Sequence, residues 1–139
     1  MNILQHTNKA MATLYMVAAI ALFFSCKKTD NTTTYKTETS PPIPSVVSFS
    51  VHIVPILNSS CNSSGCHSSV TPAANLNLTA TAAYANLYSK HEIDTLNPTL
   101  SNLNIEINNG DMPKAPYSQL SNYDKQLILT WIQQKAKNN

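Results

Sequence analysis

The segment Cys61-Asn62-Ser63-Ser64-Gly65-Cys66-His67 brings two thiols and an imidazole into one short stretch of chain. Three chemistries use that combination. Two thiols can bond the two vinyl groups on one edge of a haem, with a histidine directly after the second thiol to reach the iron. The usual spacing for this is C-x-x-C-H. Here it is C-x-x-x-x-C-H, so the chain must bulge between the thiols. Asn-Ser-Ser-Gly suits a bulge, because short polar side chains favour turns and Gly65 is free to take positive φ. Alternatively, the two thiols close a small disulfide loop, which an oxidising compartment favours. A structural zinc site needs four ligands, and beyond Cys61, Cys66 and His67 the remaining donors are His52, His91 or a carboxylate.

Met112 is the next candidate. It lies in Asn108-Asn109-Gly110-Asp111-Met112-Pro113-Lys114, a loop punctuated by Gly and Pro. A core methionine more often occupies a periodic position on a helix or strand. A His/Met pair is one way to hold haem iron, and the thioether raises the reduction potential. The bland alternative is an exposed loop methionine. A second nitrogen ligand from His52 or His91 would lower the potential, but a histidine near an amphipathic helix is more often a surface residue. Glu92 and Asp94 read as solvated loop acids. The sequence shows no Ser/His/Asp order, phosphate loop or paired catalytic carboxylate, so an electron carrier is expected rather than an enzyme. A peroxidase-like site would require that Met112 leave the iron open.

These residues need elements to hold them. Val46–Leu57 (VVSFSVHIVPIL) is expected as a short helix capped by Ser48 or Ser50, with a strand as the competing reading. Residues 58–72 form the motif loop, and Ala74–Thr79 is expected to be extended. Tyr84, Leu87 and Tyr88 make a helical stripe within 81–90. Pro98 opens a short turn or helix over 99–105, and 108–118 is the methionine loop. Ser121–Lys137 is expected as the longest helix. Ser121 would be its N-cap, Asp124 would stand in for the usual Glu of a capping box, and Leu120, Tyr123, Leu127, Ile128, Trp131 and Ile132 would form one face. Lys135 and Lys137 are expected in its last turn, facing the negative helix end. The sum is a small, mostly α domain whose long loops suit a cofactor.

Upstream, residues 1–25 read as an export signal. Lys9 precedes the uncharged run Met11–Phe24, which has the length of a signal core and is short for a membrane span. Phe23-Phe24-Ser25-Cys26 resembles a bacterial lipobox of the looser, Bacteroidetes-like kind, with Phe23 where Leu is usual. Cys26 would then carry the lipid that anchors the chain. Residues 26–45 are rich in Thr, Ser and Pro and read as a flexible tether, leaving 46–139 as the folded domain. The net charge of +2 and the lack of arginine argue against nucleic acid binding.

The folded part resembles the cytochrome c family. VSFSVHIVPILNSSCNSSGCHSS is similar to the family's opening, where a short helix runs into the attachment cysteines and histidine. LNLT, YANLY, GDMPK and LSNYDKQLILTWIQQKAKNN follow in the family's order. The resemblance covers about 46–139, the whole folded region. It implies a small helical domain around one haem c, with thioethers from Cys61 and Cys66, His67 as proximal and Met112 as distal iron ligand. The four-residue gap between the cysteines departs from the family's usual two. The resemblance also implies electron exchange with redox partner proteins at the cell envelope. The rival function is a non-haem envelope lipoprotein, a binding module closed by a Cys61–Cys66 disulfide.

Overall fold

A computed structural model describes residues 40–139. The expected signal, Cys26 and most of the tether lie outside these residues. Residues 40–45 are described, and they are not free of the domain: Ile43 packs against the core, and the Ser45 carbonyl accepts from Gln134 Nε2 at 3.0 Å.

The first apolar run is helical. It starts as a wide π-type turn, Phe49–Ile53, capped by Ser48, whose Oγ accepts from the Val51 N–H. It continues as α1, Val54–Ser60, with Pro55 in the first turn, where a missing N–H costs nothing. Phe49, Ile53, Ile56 and Leu57 are buried while Val51 is exposed, so one side of the element faces inward. A strand would have sent these residues alternately to two faces. A turn of 3₁₀ helix, Ala73–Asn75, occupies part of the stretch expected to be extended. Leu76 and Leu78 beyond it are buried.

Helix α2, Ala83–Ser89, forms where the Tyr84/Leu87/Tyr88 stripe predicts it, with Leu87 fully buried. Pro98–Leu100 is a 3₁₀ turn that leads into α3, Asn102–Asn109. Gly110 ends α3 with φ +83, the left-handed value that a side chain disfavours. Helix α4, Asn122–Gln133, is the longest. Its N-cap is Ser121, whose Oγ accepts from Asp124 N–H at 3.0 Å. The Asp124 carboxylate bonds the Ser121 hydroxyl at 2.7 Å, instead of reaching the backbone N–H as a longer Glu would.

The expectation for Lys135 and Lys137 is corrected. Helix α4 stops at Gln133, and neither lysine is in its last turn. Lys135 and Ala136 take φ of +71 and +43, which folds the chain back and buries Ala136 completely. Local bonds hold the turn: Ala136 N–H to the Trp131 carbonyl at 2.9 Å, Trp131 Nε1–H to the Lys137 carbonyl at 2.9 Å, and the Tyr88 hydroxyl to the Ala136 carbonyl at 2.9 Å.

The described residues contain no strand. No helix among them is long and apolar enough to cross a membrane. The fold is mostly α, with α4 packed against the π turn, the 98–100 turn and α3. Trp131 sits at its centre, fully buried, with its ring 5.0 Å from that of Phe49. Phe49 in turn meets Tyr84 edge-on at 5.3 Å, in the geometry that aromatic quadrupoles favour. Trp131→Ala removes this shared contact and an indole hydrogen bond. It is expected to destabilise the domain by about 3–5 kcal/mol, read as a lower urea midpoint.

Candidate functional site

The motif loop starts at the C-terminus of α1. Cys61 N–H still bonds the Leu57 carbonyl at 2.9 Å, as does Asn62 N–H at 3.0 Å. The intervening residues bulge as their types predict: Gly65 has φ +80, and Cys66 N–H bonds the Ser63 carbonyl at 2.9 Å. The bulge closes on itself where His67 N–H bonds the Cys61 carbonyl at 3.1 Å. Two more backbone bonds tie it to the next segment, Ala73 N–H to the Cys66 carbonyl and Leu78 N–H to the His67 carbonyl, each 2.8 Å.

The His67 ring has its own partner. Nδ1 lies 3.0 Å from the Leu76 carbonyl oxygen. A carbonyl only accepts, so Nδ1 carries the proton and the lone pair is left on Nε2. This is how proteins commonly orient a histidine that binds a metal through its other nitrogen. The buried side chains of Leu76 and Leu78 anchor the segment that supplies the carbonyl.

The methionine loop is built from the end of α3. Asp111 N–H and Met112 N–H both bond the Glu106 carbonyl, at 3.0 and 3.1 Å. Gln119 Nε2 then donates to the Pro113 carbonyl at 2.6 Å. Met112 is half-buried and Pro113 buried.

Cys61, Cys66, His67 and Met112 all line one cavity of about 370 Å³, within the roughly 300–1,000 Å³ typical of ligand sites. Leu76, Leu78, Leu103, Ile107 and Pro113 give it apolar walls. Cys61 and Cys66 are free thiols, each half-buried. Burial first, and then the neighbouring Cys66, push the Cys61 thiol up to about 11, so it stays protonated near neutrality. Among the described residues no group of three or more His, Cys, Asp or Glu side chains is arranged to hold a metal ion.

The two other histidines of this region lie elsewhere. His52 Nδ1 accepts from Ser48 N–H at 2.9 Å and serves the start of the π turn. His91 is exposed, with φ +59, just past α2. Neither lines the cavity. A second cavity, of about 390 Å³ between the 45–47 segment and the C-terminal turn, has no thiol or imidazole on its walls.

The sequence reading assigns no role to three charged or phenolic lining residues, Glu106, Lys114 and Tyr117, and takes a fourth, Glu92, for a solvated acid. The expectation of a solvated acid holds for Asp94 and fails for Glu92. Asp94 forms a turn by accepting from Leu96 and Asn97 N–H at 2.8 and 2.9 Å, and these bonds hold its carboxyl below the ordinary value. Glu92 is half-buried and faces the cavity. The spacing of Asn102, Leu103, Glu106 and Ile107 on α3 is the signal that marks the cavity-facing side of that helix.

Comparison with protein-family models, with curated proteins and with solved structures gives no match to this chain.

Glu92 gives the cavity a pH signature. Burial and the nearby Glu106 raise its carboxyl above the ordinary range, against smaller opposing effects from Asn102 and His67. The folded state thus keeps this proton to higher pH than the unfolded chain. Stability contributed by the group falls as pH climbs from the ordinary carboxylate value through the raised one. Glu92→Gln is expected to flatten that part of the stability–pH curve, measured by urea unfolding of the cofactor-free protein across the acidic to neutral range.

Proposed function

We propose that this protein carries one haem c, bonded through Cys61 and Cys66 and ligated by His67 and Met112, and that it transfers single electrons. The observation that carries the reading is the convergence of these four side chains on one apolar-walled cavity, with the His67 ring anchored so that Nε2 is free to bind iron. The residues fit the group. Two free thiols are available for thioethers, an oriented imidazole and a thioether sulfur can act as axial ligands, and Leu76, Leu78, Leu103 and Ile107 keep water away.

When bound, haem supplies the one-electron redox chemistry. The protein does the rest. The Leu76 carbonyl holds the His67 ring in one tautomer and makes it a better donor. With haem bound, the Met112 sulfur would favour the reduced state, and the apolar walls would work in the same direction by disfavouring the extra charge of the oxidised one. Tyr117 on the cavity wall is 48% exposed, so an edge of the cofactor there would be within reach of a redox partner. The small cytochrome c-like domain, the lipid on Cys26, the tether and a position at the cell envelope belong to the same proposal.

Protein matured in a c-type competent periplasm is expected to show the sharp reduced bands of a low-spin covalent haem and a pyridine haemochrome. Its mass should exceed that of the chain by one haem. A colourless protein lighter by two protons would instead establish the Cys61–Cys66 disulfide and the binding-module reading. Met112→Ala is expected to retain covalent haem but convert the spectrum to a high-spin or His/water form, with a lower reduction potential. An unchanged spectrum would mean that Met112 leaves the iron open, as a peroxidase-like site requires.

A further inference from the structure

The second cavity lies where the chain enters the fold. Val46 and Val47 line it together with Trp131, Lys135 and Lys137, and no acidic side chain is among its lining residues. Gln134 fixes this entry: its Oε1 accepts from Val47 N–H at 2.9 Å and its Nε2 donates to the Ser45 carbonyl at 3.0 Å. Lys135 also links the cavity to a neighbouring loop, since its Nζ donates to the Thr95 carbonyl at 3.1 Å. Leu96, the next residue, is 84% exposed, and Val46 is 64% exposed. Both lysines are exposed as well. Single exposed aliphatic residues are ordinary, but here two of them flank the same pair of cations. The nearby acid, Asp94, turns its carboxylate into its own loop, on Leu96 and Asn97 N–H. The Asn139 main-chain oxygen is likewise occupied, by the Ser48 and Ser50 hydroxyls at 2.7 and 2.9 Å.

We infer that the face made by Val46, Leu96, Lys135 and Lys137 rests on the bilayer that holds the lipid of Cys26, with the lysines on anionic headgroups and the two aliphatic side chains among them. This rests on the reading of Cys26 as a lipid anchor and is independent of the haem. The chain from Cys26 to Ser40, even fully extended, spans at most roughly 50 Å. An anchored domain therefore meets its own membrane at high effective concentration. The side nearest the anchor is the one where the chain enters, and the Gln134 clamp keeps that entry on the wall of the lysine-bearing cavity. Two cations and two aliphatic side chains are too few to recruit a free protein to a membrane. They are enough to choose which side of a tethered domain turns downward, because each lysine gains from an anionic surface only within a short range of it.

The test labels lysines on the mature, lipidated protein. It is reconstituted in vesicles of phosphatidylcholine alone, or of phosphatidylcholine mixed with phosphatidylglycerol, and acetylated briefly with an uncharged reagent. Peptide mass spectrometry then reads each lysine separately. Lys135 and Lys137 are expected to react about threefold more slowly in the anionic vesicles, and high salt should abolish the difference. Lys114 and Lys125 are the internal controls and should react equally in both. Leu96→Gln, at an exposed position, should remove much of the protection, and circular dichroism checks that this variant is folded. Equal reactivity of Lys135 and Lys137 in the two kinds of vesicle, or an equal slowing of all four lysines, would overturn the proposal. So would protection that appears only when an acidic protein is added, which would make the face a protein contact. Protein that washes off both vesicles and carries no acyl chain on Cys26 would overturn the anchor reading and this proposal together, leaving the haem reading in place.

Discussion

The contact between Trp131 and Phe49 joins the last helix to the first turn of the domain. A chain with short helices and long connections has few ways to become cooperative. Here the indole of α4 reaches across to the π turn, and Tyr84 of α2 closes on the other side of Phe49. Three elements distant in sequence thereby share one aromatic cluster. Asn139 reinforces the closure, since its side-chain oxygen accepts from Phe49 N–H at 2.9 Å and its main-chain oxygen from Ser50 N–H at 2.9 Å. The motif loop and the methionine loop hang from this frame, one from the end of α1 and the other between α3 and α4.

Long loops in a small domain raise the question of where their backbone groups find partners. The answer here is local and repeated. Glu106 uses one carbonyl for two loop N–H groups, Ser101 Oγ donates to the Asp94 carbonyl and accepts from Asp94 N–H, and Asn86 Oδ1 accepts from Asn77 N–H. No buried side-chain nitrogen or oxygen among the described residues lacks a partner. The abundance of Asn and Ser, which looks like a sign of irregular chain, supplies these bonds. Polar side chains thus do in the loops what helices do elsewhere, and the apolar residues are free to line the core and the cavity.

Much of the helical frame was legible because it depends on short-range rules. The stripe of Tyr84, Leu87 and Tyr88, the Ser121 cap and the face of Leu127, Ile128, Trp131 and Ile132 all follow from spacing of three and four. The motif loop and the methionine loop were legible as loops for the same reason, from Gly65, Gly110 and Pro113. What depends on distant contacts was hidden. Lys135 and Lys137 look like a helix end until Ala136 is needed in the core and the Tyr88 hydroxyl captures its carbonyl. The 74–79 segment alternates like a strand, yet its first residues join a turn at 73–75, just before the Leu76 carbonyl that meets His67. Glu92 looks like a solvated loop acid because nothing near it in sequence reveals that Leu103 will fasten it beside the cavity.

The two walls of the cavity differ in how they are held. The His67 side is pinned at its amide, its carbonyl and its ring, each to a different residue. The Met112 side is held at the Asp111 and Met112 amides, which share the Glu106 carbonyl, and by the Gln119 side chain on the Gly110 and Pro113 carbonyls. The anchors on the His67 side are spread over three residues, whereas those on the Met112 side converge on one carbonyl and one glutamine. On the proposed haem reading, a small molecule competing for the iron would therefore displace the thioether before the imidazole.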